Sequence, residues 1–391
     1  MSKTLYLLIL FIINYKAWNL RFITISDNNW LIIHLFYLIA GFLYYGRQES
    51  FSFLGENLKY WRWWVAGILI SMLSAYFVYN QSFIQSIITY RWHILILQIP
   101  VLFKIAPAKE NILKATMWFA AFLWVIYFIQ LGNPYIIAYD DEVIERALKH
   151  NSVLLVPGMV FSAVPLFYCL NDIKENFNYK SVVIMFVCFL FLFFMQNRSM
   201  LFSVTVLVGW TILTIKHTQK WLMVFLMAVL VVIVAYNTLE VWNALFEETI
   251  GQVDDNDYNR NKAIQYFIFE ASPNIWCYIF GNGFLSSHAT SLMQDMMSLG
   301  VYNSDVGFIG YWNQFGVIPI IIFSLMLVPA VLRKNHSHFI RCWALQILLC
   351  SLTISYWGPS NILYMGLFYY LYYYDLKEES LPIEEQEIIE T

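Results

Sequence analysis

Three side chains with chemical potential interrupt an otherwise apolar chain. Arg198 sits in the short turn Gln196-Asn197-Arg198-Ser199, Arg260 in a long polar stretch, and Asp305 behind Asn303-Ser304 at the head of an apolar run. Arginine offers a fixed fork of donors that matches phosphate oxygens. Preplaced positive charge matters most where a phosphate group leaves. A carboxylate at a membrane face accepts a proton from a hydroxyl when desolvation lifts its pKa toward the working range. Each residue also has a plainer reading. Arg198 serves equally as a topology anchor that snorkels to the headgroups. Arg260 serves as half of a surface ion pair with the patch Asp254-Asp255-Asn256-Asp257, and Asp305 as a helix cap that complements the macrodipole.

Other chemistries find less support. His150 with Asp140, Asp141 and Glu142 shows no metal-ligand spacing, and His93 beside Arg91 reads as an interface residue. There is no Walker loop, no Gly-x-Ser-x-Gly and no His-Glu-x-x-His. The net charge of -3 comes with no basic face, which excludes an ordinary nucleic-acid binder. Five cysteines show no paired spacing, and only Cys277 falls in the long polar stretch, so that stretch holds no internal disulfide.

The elements that must position these residues are helices in a membrane. Of 391 residues 60% are hydrophobic and 13% charged, and mean hydropathy is +0.58, whereas soluble domains carry roughly 25% charged residues. A span needs about 20 apolar residues. On that ruler twelve candidates lie near 4-18, 29-46, 61-79, 88-106, 112-132, 152-170, 180-196, 199-216, 220-239, 305-332, 340-357 and 360-375. The expected fold is an all-α polytopic bundle: nine spans over 1-239 with the arginine turn at 196-199, an extracytoplasmic loop at 240-304, three spans over 305-376, and an acidic cytoplasmic tail at 377-391. The stretch 182-215 is too long for one span and fits two helices joined by a tight turn at Arg198.

With the N-terminus inside, fifteen of the 23 Lys and Arg residues fall in cytoplasmic segments, which favours both termini inside. Arg146, Arg198 and Arg260 then face one extracytoplasmic compartment. Within the long loop, Ala263, Ile264, Phe267 and Ile268 recur at helical spacing, predicting an amphipathic helix from near Tyr258 that Pro273 ends. Gly281-Asn282-Gly283 supplies a tight turn before Phe284. A second short helix is expected over 287-299, stopping at Gly300. Asp305 is expected to open one long helix, with Gly316 three turns down it, about 16 Å away.

On these residues the chain resembles the O-antigen ligase and polymerase superfamily. Asp305-Val306, nine residues, then Gly316-Val317-Ile318 is similar to that family's frame, in which a His and a small polar residue precede a glycine at the same spacing. Asn197-Arg198-Ser199 resembles the family's helix-opening arginine. Arg260 followed by Gly281-Asn282-Gly283-Phe284 resembles its late periplasmic loop, with an arginine and a Gly-x-Gly-Phe turn. The likeness covers roughly 140-330. Asp305 in place of the family's His is similar to the O-antigen, capsular and exopolysaccharide polymerase branches rather than the ligases.

The resemblance implies a bacterial inner-membrane glycosyltransferase with its active site facing the periplasm or cell exterior. It would polymerise undecaprenyl-diphosphate-linked repeat units into a surface polysaccharide, with donor and acceptor both lipid-linked and a chain-length regulator as a possible partner. Arg198 and Arg260 would hold the diphosphate, Asp305 would orient or deprotonate the acceptor hydroxyl, and Arg146, Gly281, Gly283 and Asn303 would contact substrate. No cofactor or metal is implied, since two guanidinium groups can do the charge work of a divalent ion. A ligase attaching glycan to lipid or protein would use the same fold. A lipid-linked oligosaccharide flippase would have short loops, unlike 240-304, and a polyprenyl-monophosphate glycosyltransferase would want more acidic residues in 19-28 than Asp27.

Overall fold

The computed structural model describes residues 1-16, 25-45, 52-136, 158-194, 198-215, 221, 259-286, 296, 298-301, 303-333, 336-351, 353-354, 356 and 358-380. The side chains of Arg198, Asn259, Ser304 and Asp305 lie outside that description. Every regular element among the described residues is helical. In chain order the α-helices are α1 (Lys3–Asn14), α2 (Asp27–Tyr45), α3 (Lys59–Tyr79), α4 (Phe83–Thr89), α5 (Gln98–Ile105), α6 (Lys109–Gly132), α7 (Ala163–Glu175), α8 (Tyr179–Phe194) and α9 (Arg198–Thr214). They continue as α10 (Asn259–Gln265), α11 (Ile275–Phe280), α12 (Gly307–Phe315), α13 (Ile318–Leu332), α14 (His338–Cys350) and α15 (Ile362–Ser380).

Glu56–Tyr79 and Lys109–Gly132 are long and apolar enough to cross a membrane. The pair Phe83–Thr89 and Arg91–Ile105, bent by 61°, makes a third if taken as one span. Large apolar side chains also point outward from the bundle, including Phe36, Leu43, Phe77, Trp118 and Phe128. Exposed apolar surface on this scale marks an interaction surface rather than a water-facing one, and it supports membrane association.

Several of the expected spans are broken, among them 340-357, where α14 stops at Cys350. The stretch 88-106 divides into α4, a 3-10 segment Arg91–Leu97 and α5, with α4 started by a Ser82 and Gln85 capping box. The stretch 152-170 opens with a 3-10 turn, Met159–Ser162, and its α-helix runs on to Glu175; residues 152-157 lie outside the described part. The stretch 305-332 is not one helix opened by Asp305. A 3-10 turn, Asn303–Val306, precedes α12, and Gly316, at φ 66°, separates α12 from α13. The expected span 220-239 lies outside the described residues except for Trp221. α8 ends at Phe194 and α9 begins at Arg198; residues 195-197 of the expected arginine turn lie outside the described part.

The core is organised around α15. From Ile362 to Tyr372 every residue with an apolar or aromatic side chain is buried, as a helix that is apolar all round must be. Gly366 lets Ile99 of α5 approach, for a Cβ there would lie 3.0 Å from its Cγ1. Apolar burial gains little where lipid is the solvent, so packing and satisfied polar groups must hold such a bundle. The tyrosine hydroxyls of α15 are satisfied: Tyr364 donates to Gln346 Oε1 (2.9 Å), Tyr369 to Asn57 O (2.6 Å) and Tyr370 to Pro107 O (2.8 Å).

Cross-chain bonds sort the helix ends into two groups. At one end, Lys3 Nζ donates to Ala106 O (2.8 Å), Lys109 lies over Phe339, Lys174 Nζ meets His338 Nδ1 (3.2 Å), and His336 pairs with Asp375 at 3.0 Å. At the other, Asn14 Nδ2 donates to Ser360 O (3.2 Å), Lys16 lies over Trp92, and Cys350 Sγ approaches Ser199 O at 3.3 Å. Lys3, Lys109 and Lys174 thus share one end of the bundle, and Lys16 lies at the other with the start of α9.

Candidate functional site

The amphipathic helix predicted from Tyr258 forms as α10, and its last turn widens. Tyr266–Glu270 is wound as a π-helix, with Ala271 N–H donating to Tyr266 O at 2.8 Å. Such widening takes carbonyls out of the regular ladder and recurs at functional sites. Here side chains claim them. Asn313 Nδ2 donates to Phe267 O (3.4 Å), Tyr278 OH to Ile268 O (2.8 Å) and Asn282 Nδ2 to Ala271 O (2.9 Å). The winding is thereby tied to the glycine turn and to α12.

The glycine turn is a clasp across the helix break at Gly316. Asn282 N–H donates to Asn313 O (2.6 Å), Gly283 N–H to Gln314 O (3.1 Å) and Val317 N–H to Ile279 O (2.9 Å). Gly281, Gly283 and Gly316 all take positive φ, where a side chain is strained. A Cβ on Gly281 would stand 2.3 Å from Gln314 O, one on Gly283 2.6 Å from Ser71 O, and one on Gly316 2.0 Å from Ile279 O. Gly316 therefore admits the backbone at the end of α11. The segment after the clasp is pinned as well: Phe284 N–H donates to Tyr90 OH (2.8 Å), Ser286 N–H to Gln81 Oε1 (2.7 Å), and Tyr90 in turn meets Ser71.

Arg260, Ala263 and Phe267 lie at i, i+3 and i+7, on one helix face. Ala263 and Phe267 bury that face against Val301 and Val306, so α10 lies on the turn that carries Asn303 and Asp305. Arg260 is half-buried, and its Nε is buried without a hydrogen-bond partner among the described residues. An unsatisfied guanidinium donor is costly, and an anion bound there would satisfy it. Asn303 bonds to the helix that follows, its Nδ2 donating to Gly310 O of α12 at 3.4 Å, and the missing side chain of Gly310 allows this, since a Cβ there would lie 2.1 Å from Asn303 O.

Arg198 joins this neighbourhood through backbone. The carbonyl of Ser199, next to it, receives Cys350 Sγ at 3.3 Å, and the carbonyl of Ser351, next along α14, receives Phe308 N–H at 2.8 Å. The start of α9 and the start of α12 are thus fastened to the same end of α14. Arg146 lies outside the described residues, as do the acidic patch 254-257 and most of the second loop helix. That helix is seen at Met296 and Ser298–Leu299, and Gly300, at φ 68°, stops it as expected.

The π-wound turn, the glycine clasp, Asn303 and the end of α3 line an open cavity of about 440 Å³, whose lining includes Tyr79, Tyr266, Glu270, Gly283, Asn303 and Gln314. No family model, curated protein or solved structure matches the chain. The chemistry of the site rests on its geometry.

Among the sequence-predicted residues, Gly283 and Asn303 line the cavity. Gly281 faces the backbone of Gln314 and Gly316 instead. Arg260 lies at the far end of its helix, ten residues and about 15 Å from Glu270. Sequence reasoning passed over Glu270, Tyr79, Asn313 and Gln314. The adjacent amides Asn313-Gln314 were the available signal, since polar side chains inside an apolar helix are costly and mark function or specific pairing.

Proposed function

We propose that the chain is a multi-pass glycosyltransferase of the bacterial inner membrane, which joins polyprenyl-diphosphate-linked repeat units into a surface polysaccharide. The observation that supports this reading is the meeting of three distant segments. The helix bearing Arg260, the glycine clasp and the turn bearing Asp305 gather around one cavity, and the start of α9 at Arg198 is fastened nearby. A twelve-span bundle with this end facing outward completes the proposal.

In the proposed reaction the acceptor hydroxyl oxygen bonds to the anomeric carbon of the donor. The bond from that carbon to the diphosphate breaks, and the diphosphate leaves with the electron pair, held by Arg198 and Arg260. The hydroxyl proton passes to the Asp305 carboxylate. Charge developing on the leaving group is what preplaced guanidinium groups stabilise.

The glycan profile of a deletion strain tests the proposal. Loss of long polymer with single-unit glycan retained is the expected result. Accumulation of lipid-linked polymer would identify a ligase, and an unchanged profile would end both readings.

Sidedness is tested separately with His288→Cys. The five native cysteines are buried, and burial pushes the Cys277 thiol above its usual range, so the protonated native thiols give a low labelling background. A membrane-impermeant maleimide added to intact cells is expected to label the variant. Labelling only from the cytoplasmic side would invert the topology.

A further inference from the structure

We propose that the cavity beside the π-wound turn is a saccharide subsite selective for neutral or amino sugars, with Glu270 setting that preference. The proposal rests on the glycosyltransferase reading of the same site and adds a substrate class that this reading leaves open.

The walls suit a sugar ring. Tyr266 and Phe284 offer aromatic surface for its apolar C–H faces, and Asn303 and Gln314 offer amides for its hydroxyl edge. A pocket of about 440 Å³ falls within the ordinary range for small-ligand sites, and a mostly apolar lining with a few convergent polar groups is their usual make-up. Each amide both donates and accepts, which matches hydroxyls that do the same.

The charge is what narrows the class. Among the described lining residues Glu270 carries the only formal charge, and no described cation pairs with it. An ionised carboxylate only accepts hydrogen bonds. It can hold hydroxyls or an ammonium group, and it repels a uronate or phosphate brought to the same space. Arg260, about 15 Å along the helix, does not line the cavity, so the leaving diphosphate and the sugar ring would occupy separate parts of one site. The widened turn serves this division. It directs Tyr266, Phe267 and Glu270 to the cavity, while the regular part of the helix lies along the turn of Asp305.

Calorimetric titration of the full chain in lipid nanodiscs tests the proposal with three phosphate-free probes: maltotriose, the glucosamine trimer of chitosan, and trigalacturonate. The first two are expected to bind saturably and trigalacturonate at least about tenfold more weakly, a difference of ~1.4 kcal/mol. Glu270 is exposed, so Glu270→Gln and Glu270→Lys should fold, which thermal unfolding checks. The Gln variant is expected to erase the discrimination and the Lys variant to reverse it in favour of trigalacturonate. A purely structural role for Glu270 would not produce that reversal. The subsite is overturned if trigalacturonate binds the unaltered chain as well as maltotriose does, if none of the three binds saturably, or if discrimination persists in both variants. A deletion strain that keeps its long polymer would remove the polymerase reading while leaving this preference measurable. Absent preference, in a chain that the polymer requires, would remove the subsite alone.

Discussion

Cells carrying Arg260→Ala or Arg198→Ala are expected to lose long polymer while still making single-unit glycan. Removing one preplaced donor from a site of charge development costs about 10²–10³ in rate, roughly 3–4 kcal/mol, enough to collapse a polymer made by many successive transfers. The orphaned Nε of Arg260 gives this expectation a second, opposite arm. If no anion binds there, removing a half-buried and unsatisfied donor should stabilise the fold. Thermal unfolding of the purified Ala variant therefore belongs beside the glycan gel. Arg260→Lys keeps the charge but not the planar fork, and it should restore short chains only. Full-length polymer in both Ala variants would sink the diphosphate clamp.

Gly316→Ala and Gly281→Ala should be the most damaging small changes to the fold. Each residue lies at positive φ, and the added carbon would stand 2.0 Å from Ile279 O or 2.3 Å from Gln314 O. Both neighbours are backbone held by hydrogen bonds of the clasp, so neither yields as a side chain would. The strain of the conformation alone is of order 1–3 kcal/mol, and the overlap adds to it. Gly132 and Gly209 provide the control. A Cβ at either meets nothing within 4 Å, and in a helix Ala is favoured over Gly by about 1 kcal/mol. Unfolding in detergent should therefore show a markedly lowered Tm for the clasp variants and an unchanged or raised one for the controls. Equal behaviour of the two pairs would mean that the clasp does not hold the site together.

The features written in local periodicity were legible in the sequence. Ala263 and Phe267 announced the buried face of α10, and the polar turn at 196-199 announced two helices where the apolar run is continuous. What escaped was decided by contacts between segments far apart in the chain. The break at Gly316 depends on Ile279 O receiving Val317 N–H, and a lone glycine in an apolar run does not reveal whether a helix passes through it. The bend near Tyr90 escaped as well, since the capping box of Ser82 and Gln85 marks where α4 starts and not where it stops. Glu270, close to Pro273 at a helix end, carries no local signal, because only the π winding gives it a cavity to face. The tyrosine hydroxyls of α15 find partners on segments such as Asn57 and Pro107 that no local pattern connects to them.

The burial of α15 also bears on the order in which the protein can be built. Its buried stretch from Ile362 to Tyr372 is synthesised after every other described helix, yet it occupies the middle of them. Until it emerges, the earlier helices must wait in the membrane around an unfilled centre, with the partners of Tyr364, Tyr369 and Tyr370 unsatisfied. The bundle can close around α15 only late in synthesis. The clasp at Gly281–Gly283 joins segments made earlier and can form before it, so the cavity would take shape inside a scaffold that is still open at its axis.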